Sequence, residues 1–151
     1  MNINIERIHR TSDYIDGTLR IDSIDKICDT AEFAPTALKA GTYRVLIHRC
    51  KQYRRKMPVV CLEVQSSSSC LACPKLSFVC NNSTLPIYCP QIKIGNGVHN
   101  RTDGSIIIGE RIVWGALKHS AEHFNRLIDR LDKAQNRGDL ITVTITENYE
   151  L

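Results

Sequence analysis

The sequence predicts a β-rich α+β domain, and two kinds of hydrophobic pattern carry this prediction. Several short runs alternate apolar and polar residues, which is the period of a strand with one buried face. One longer run near the C-terminus has apolar residues at i, i+3, i+4 and i+7, the spacing of an amphipathic helix. Because no strand–helix–strand unit repeats along the chain, we expect a mixed or antiparallel sheet or barrel rather than a parallel α/β fold.

Strand patterns dominate the first half of the chain. Residues 3–10 alternate isoleucine with polar side chains, with one irregularity, and residues 18–30 have the pattern of a β-hairpin. Residues 42–49 alternate in the same way and give the clearest strand of this half. A basic loop that ends with Pro58 then precedes a further strand, which is expected at 59–64.

The second half predicts a helix between two strands. Three consecutive isoleucines, Ile106 to Ile108, indicate a strand that is covered on both faces. The helix is expected to run from Ser120, as its N-cap, to Arg137, with Gly138 ending it. Residues 140–147 then alternate apolar side chains with threonine, which predicts a C-terminal strand.

The composition limits the class of protein. The chain has 151 residues, of which 42% are hydrophobic, so we expect a single domain over 1–151 with a core of its own. Its 20 basic and 16 acidic side chains give a net charge of +4, which is too small and dispersed to favour a nucleic-acid partner. No apolar run approaches the roughly 20 residues of a membrane span, and the N-terminal residues do not have the pattern of a signal peptide.

Cysteine is frequent and unevenly distributed. Three of the seven cysteines, Cys28, Cys50 and Cys61, lie in strand-like segments, where we expect them to be small buried side chains. The other four lie in the segment 65–90, which is rich in serine, proline and asparagine. Such residues favour turns over a packed core, so this segment is interpreted as an insertion within the domain.

The four clustered cysteines have the residue type and part of the spacing of a zinc site. A C-x2-C pair supplies two thiolates from one tight turn, and two further cysteines would complete a tetrahedral site. Such a site is structural, because it has no open position for water. The four cysteines are Cys70, Cys73, Cys80 and Cys89. The spacing of the second pair is less diagnostic. Structural zinc, disulfides in an extracellular particle and free thiols therefore remain alternatives, and zinc is the one cofactor that the sequence suggests.

A longer stretch resembles a known family. Residues 91–110 read QIKIGNGVHNRTDGSIIIGE, and they accompany CDTAE at 28–32, KAGTYRV at 39–45, the late helix and the final strand. Apart from the cysteine-rich segment, this order resembles a domain-of-unknown-function family of bacteriophages and Bacteroidetes with the signature IRIHxGNxxxDTxGCILVG. That signature is itself similar to the active-site stretch of L,D-transpeptidases of the YkuD type, which cross-link peptidoglycan through a cysteine–histidine pair. The resemblance implies a YkuD-like fold.

The resemblance fails at the residues that would carry the chemistry. The position of the signature cysteine is Ser105, and the position of the signature histidine is Gly95. A serine hydroxyl is a far weaker nucleophile than a thiolate unless a base activates it. His99 is a possible substitute base, and Asp103 is interpreted as a turn residue that the degenerate site has kept.

Three functional hypotheses remain open. The first is a non-catalytic binding or structural protein on a degenerate transpeptidase-like scaffold, associated with a phage or prophage and located in the bacterial cytoplasm or the phage particle. Its partner would be a phage or host protein or a cell-wall polymer. The second is an active peptidoglycan-processing enzyme that uses Ser105 or a substitute such as Cys89. The third is a zinc-bearing adaptor that binds nucleic acid through Arg54 and Arg55 in the basic loop.

One aromatic residue outside these motifs is also a candidate. Trp114, the only tryptophan, stands beside a glycine between the isoleucine strand and the helix. We expect it to be partly buried in the core, with a position at the mouth of a cleft as the alternative.

Overall fold

Strands make up most of the fold in the computed structural model, which describes residues 1–50, 53–61, 90–96 and 104–149. Within these ranges there are nine strands, one α-helix and a short 3-10 helix at Ala34–Thr36. The strands are β1 (Asn2–Arg10), β2 (Tyr14–Ile21), β3 (Asp25–Phe33), β4 (Gly41–Cys50), β5 (Arg55–Cys61), β6 (Ile92–Lys93), β7 (Ile106–Val113), β8 (Ala116–Lys118) and β9 (Thr142–Glu147), and the helix is α1 (Ser120–Asn136).

The strands form one curled, mixed sheet in the order β5-β4-β9-β1-β2-β3-β7-β6, and β8 pairs with β7. The neighbouring strands are antiparallel except in the pairs β1–β9 and β6–β7. The two ends of this order meet, because Val59 bridges to Gln91 and the N–H of Val60 donates to the carbonyl of Pro90 at 2.8 Å. This contact is called the seam below.

Helix α1 supplies one wall of the main core. Its buried side chains pack with those of β1, β4, β7 and β9; on the helix these are Phe124, Leu127, Leu131 and Ala134. Ile106 and Ile108 belong to this core, whereas Ile107 packs on the opposite face with Ala31 and Leu117. The isoleucine strand is therefore covered on both faces, as predicted.

Most of the sequence-based predictions of the fold are confirmed. The β-rich α+β class, the hairpin of β2 and β3, the late helix and the final strand are all present. Gly138 follows the helix with φ of +86°, a conformation that glycine adopts readily. Cys28 and Cys61 are buried, as expected. The side chain of Cys50 and the segment 62–89, which includes all four clustered cysteines, lie outside the described residues.

The predicted start of the helix is wrong by one residue. His119, with φ of 55°, is the N-cap, and Ser120 is the first helical residue. The Ser120 hydroxyl accepts a hydrogen bond from the N–H of Gly95 at 3.0 Å instead of capping the helix. The Ser120 hydroxyl oxygen, which the sequence predicted to cap the helix, therefore makes a tertiary hydrogen bond instead.

The predicted boundary at Pro58 is also wrong, because β5 begins at Arg55 and Pro58 lies inside it, opposite Ile47. Proline cannot donate a hydrogen bond within a ladder. Here the backbone of Ile47 does not need that donor, because its N–H donates to Oε1 of Gln135 at 2.8 Å and its carbonyl accepts from Nε2 of the same residue at 3.1 Å.

Candidate functional site

Ser105 lies immediately before β7 and is fully enclosed. Its side chain is 1% exposed, and its hydroxyl oxygen accepts the N–H of Gln91 at 3.2 Å. The next residue, Ile106, donates its own N–H to the carbonyl of Gln91 at 2.9 Å. The Ser105 hydroxyl therefore accepts a hydrogen bond from a backbone N–H at the junction of β6 and β7, where the side chain is not accessible to solvent.

Gly95 lies two residues beyond β6, where its backbone meets the start of α1 at Ser120. A Cβ at this position would lie 3.1 Å from Cδ1 and 3.3 Å from Cγ2 of Ile107. Because Ile107 is completely buried, it has little freedom to move away. A side chain at position 95 would therefore need Ile107 to shift by a few tenths of an ångström within the core.

The other residues predicted for this site are only partly described. His99 and Asp103 lie outside the described residues. A cavity of about 320 Å³ borders Gly95 and Ser120, and His119 lines it from the start of the helix. The His119 ring is half-exposed, with Nδ1 at 3.8 Å from Oε1 of Glu122. Within the described residues, the structure thus places the His119 imidazole near Gly95, at the N-cap of the helix rather than on the strand.

The metal prediction concerns a different part of the chain. Residues 1–50, 53–61, 90–96 and 104–149 contain no group of three or more His, Cys, Asp or Glu side chains that could hold a metal ion. The four clustered cysteines lie outside these ranges, so the zinc site stays a prediction. In the same ranges, no helix has the length and apolar character needed to cross a bilayer.

The two arginines of the basic loop have different environments. Arg54 is exposed and has a left-handed backbone, with φ of 55°. Arg55 donates to Oδ1 of Asn125 at 2.8 Å, and its guanidinium lies 4.6 Å from the ring centroid of Phe124. Arg55 therefore connects β5 to the helix, and Arg54 is the freer of the two for an external partner.

The end of β7 and the turn that follows it expose three consecutive apolar residues, here called the apolar tip. Ile112, Val113 and Trp114 are 58%, 61% and 46% exposed. The expected partial burial of Trp114 in the core is thus wrong, because the tight turn carries the ring outside the sheet. Single exposed apolar side chains are ordinary, but three in a row beside a turn are a candidate interaction surface.

A buried carboxylate holds the apolar tip in place. Asp16 accepts the N–H of Gly115 on both of its oxygens, at 3.0 and 3.1 Å, and Nε of Arg111 lies 3.5 Å from Oδ1. Burial raises the pKa of Asp16, and these two donors counteract the shift. On the outside, the His9 ring stacks on Trp114 with the centroids 4.2 Å apart. The tip is therefore fixed both from within and from the surface.

The sequence contains a local signal for this surface. The apolar run Ile112 to Trp114 directly precedes Gly115, whose φ of +83° makes the turn. An apolar run that ends at a turn glycine places its side chains at a hairpin end, where no second layer covers them. The carboxylate that fixes the turn is far away in sequence and gave no local signal.

Comparisons of the chain with protein-family models, with curated proteins and with solved structures give no match. The resemblance to the transpeptidase signature therefore stays a prediction from the sequence.

Proposed function

We propose that the chain is a non-catalytic binding or structural protein, built on a degenerate L,D-transpeptidase-like scaffold and associated with a phage or prophage. The observation that carries the proposal is the environment of Ser105, the residue at the signature cysteine position. Its side chain is 1% exposed and its oxygen accepts a backbone N–H. A nucleophile must meet its substrate, so a hydroxyl enclosed in this way supports a structural role.

The surroundings of Gly95 support the same proposal. Acyl transfer by a serine needs a positioned base to take the hydroxyl proton. Position 95 has no side chain, and the buried Ile107 occupies the space next to it. The chain thus has neither a thiol nor an imidazole at the two signature positions. Ser105 is buried, and the side chain of Ile107 packs next to Gly95.

The apolar tip supports a binding role. Its three exposed apolar side chains would be unfavourable in water without a partner, and Asp16 fixes the turn that presents them. Aliphatic side chains such as Ile112 and Val113 offer little to a sugar polymer, so the composition of the tip favours a protein partner over a cell-wall polymer.

The experiment is a digestion of purified peptidoglycan with the full chain, followed by chromatographic separation of the muropeptides. We expect the profile to equal that of a sample without protein, with an active L,D-transpeptidase as the positive control. Turnover by the wild type would overturn the proposal. Its loss in Ser105→Ala would then assign the reaction to the serine, and its loss in Cys89→Ala would assign it to the inserted cysteine, provided that both variants keep the wild-type melting temperature.

A further inference from the structure

A groove lined by basic side chains runs between helix α1 and the β2–β3 hairpin, and it shares no lining residue with the cavity at Gly95. Its volume is about 260 Å³. Four side chains that can carry positive charge line it, together with buried apolar residues such as Leu127; the four are Lys26, His123, Arg126 and Arg130. We call it the cationic groove.

The two arginines of the cationic groove are not neutralised within the part of the chain that the structure describes. Two acidic residues of the helix bind lysines, Asp129 with Lys133 at 2.9 Å and Asp132 with Lys56 at 3.1 Å. Glu122 lies 3.8 Å from Nδ1 of His119, and none of these contacts includes Arg126 or Arg130. Both arginines are exposed. The ion pairs of the helix thus lie outside the groove, and the guanidinium groups of Arg126 and Arg130 line it.

The spacing of these side chains places them on one side of the groove. Arg126 and Arg130 are four residues apart, so they are neighbours on one face of the helix, and His123 precedes Arg126 by one turn. His123 also lies in the first turn, where the helix end has a partial positive charge. Lys26 faces them from β3 and shares its charge with Asp29, at 2.8 Å from Oδ1. Two separate elements therefore bring cations to the same space.

We infer that the cationic groove binds a small ligand that carries a phosphate group. The planar guanidinium donates two parallel hydrogen bonds to phosphate oxygens, and a phosphate has enough charge to meet two arginines. The volume of about 260 Å³ lies just below the range of about 300–1,000 Å³ that is typical of drug-sized ligands. It therefore suits one or two phosphate groups, held by the arginines at the rim.

The test is calorimetric titration of the full chain with inorganic pyrophosphate at low ionic strength. The variant is the double substitution Arg126→Gln with Arg130→Gln. The matched control is Lys133→Gln with Arg137→Gln, which removes the same charge from exposed positions at the C-terminal end of the helix, outside the groove. We expect Kd to rise about tenfold or more in the groove variant and by less than about twofold in the control. Because all four positions are exposed, the melting temperatures should change little, even though the control loses the exposed ion pairs of Lys133 and Arg137.

Three outcomes would overturn the inference. The first is the absence of pyrophosphate binding by the wild type. The second is an equal loss of affinity in both double variants, which would indicate a general effect of net charge. The third is tighter binding of a single-stranded oligonucleotide than of pyrophosphate with the same dependence on Arg126 and Arg130, which would assign the groove to a polymer backbone. Peptidoglycan turnover does not enter the readout, so this test is independent of the proposed lack of catalysis.

Discussion

Arg7 and Glu32 form a two-pronged ion pair in the interior of the protein. Nε of Arg7 lies 3.0 Å from Oε2 of Glu32, Nη2 lies 2.8 Å from Oε1, and the side chains are 2% and 1% exposed. Nη2 also donates to the carbonyl of Leu38 at 2.6 Å. Burial alone would lower the pKa of Arg7, but the hydrogen bond and charge of Glu32 raise it overall. The pair joins β1 to β3 across the intervening β2.

We expect Glu32→Ala to lower the free energy of unfolding by about 3–5 kcal/mol, because it leaves a buried guanidinium without its counter-charge. The matched control is Glu110→Ala, since Glu110 is exposed and lies 3.9 Å from Lys118. The control should cost less than about 1 kcal/mol. Urea unfolding followed by circular dichroism measures both values, and similar losses would show that the buried pair has no special role.

Asp29 should make stability depend on pH in the acid range. Burial would raise its pKa, but Lys26 and Arg111 together lower it below the ordinary value of 3.8. A lowered pKa in the folded state means that the ionised group contributes stability above pH 3.8 and that this contribution is lost as the pH falls through the folded pKa. Asp29→Asn should therefore be less stable than the wild type near pH 7, with a difference that shrinks in acid.

Melting temperatures recorded from about pH 7 to about pH 2.5 test this dependence. The control is Asp25→Asn, an exposed carboxylate on the same strand, which should show no such trend. A difference between the wild type and Asp29→Asn that stays constant over the whole pH range would contradict the prediction.

Cys28 should be chemically inert in the folded protein. Burial raises the pKa of its thiol to about 12, so the reactive thiolate is rare at neutral pH. We expect iodoacetamide at about pH 8 to modify Cys28 only after unfolding in guanidinium, as mass spectrometry of the digested protein would show. Cys61 is also buried and serves as a second reporter. Equal labelling rates with and without guanidinium would disprove the protection.

The zinc prediction can be tested by elemental analysis of protein purified without added metal. One equivalent of zinc is expected if the four thiolates bind it, and Cys73→Ser should then lower the melting temperature markedly, since it removes one ligand of a structural site. Cys28→Ser is the control for the zinc content, which it should leave unchanged because its thiol lies in the core and outside the cluster; its melting temperature should fall for a different reason, the burial of a hydroxyl. Metal-free protein whose stability does not respond to Cys73→Ser would exclude the site.

The fold was predictable to the extent that local periodicity determines it. Ile3 and Ile5 alternate with polar residues, and Phe124 belongs to a helical spacing of apolar residues. Both patterns reflect the burial of one face of an element, which residues close in sequence determine. The predictions were wrong where a residue distant in sequence determines the local structure. The Ser120 hydroxyl bonds Gly95 rather than its own helix, and Gln135 of the helix supplies Ile47 with the partners that Pro58 cannot offer.

The candidate sites were harder to predict for the same reason. The sequence named Ser105 and Gly95 as the altered positions, but only the structure could place the serine in an enclosed junction. The cationic groove has a local signal in the helix, where Arg126 and Arg130 are four residues apart. Its other wall comes from a hairpin about 100 residues earlier in the chain, and no pattern in the sequence indicates that the two face each other.

The seam at Val60 and Pro90 has a consequence for engineering. It brings Val60 and Pro90, which flank the stretch 62–89, together at one point of the sheet, so we expect that this stretch can be exchanged while the rest of the fold is kept. Replacing 62–89 with a three- or four-residue glycine–asparagine turn should give a shortened chain that still folds cooperatively, measurable by its thermal transition and circular dichroism spectrum. A foreign peptide could then be inserted between Cys61 and Pro90, so that the domain would serve as a scaffold for peptide display.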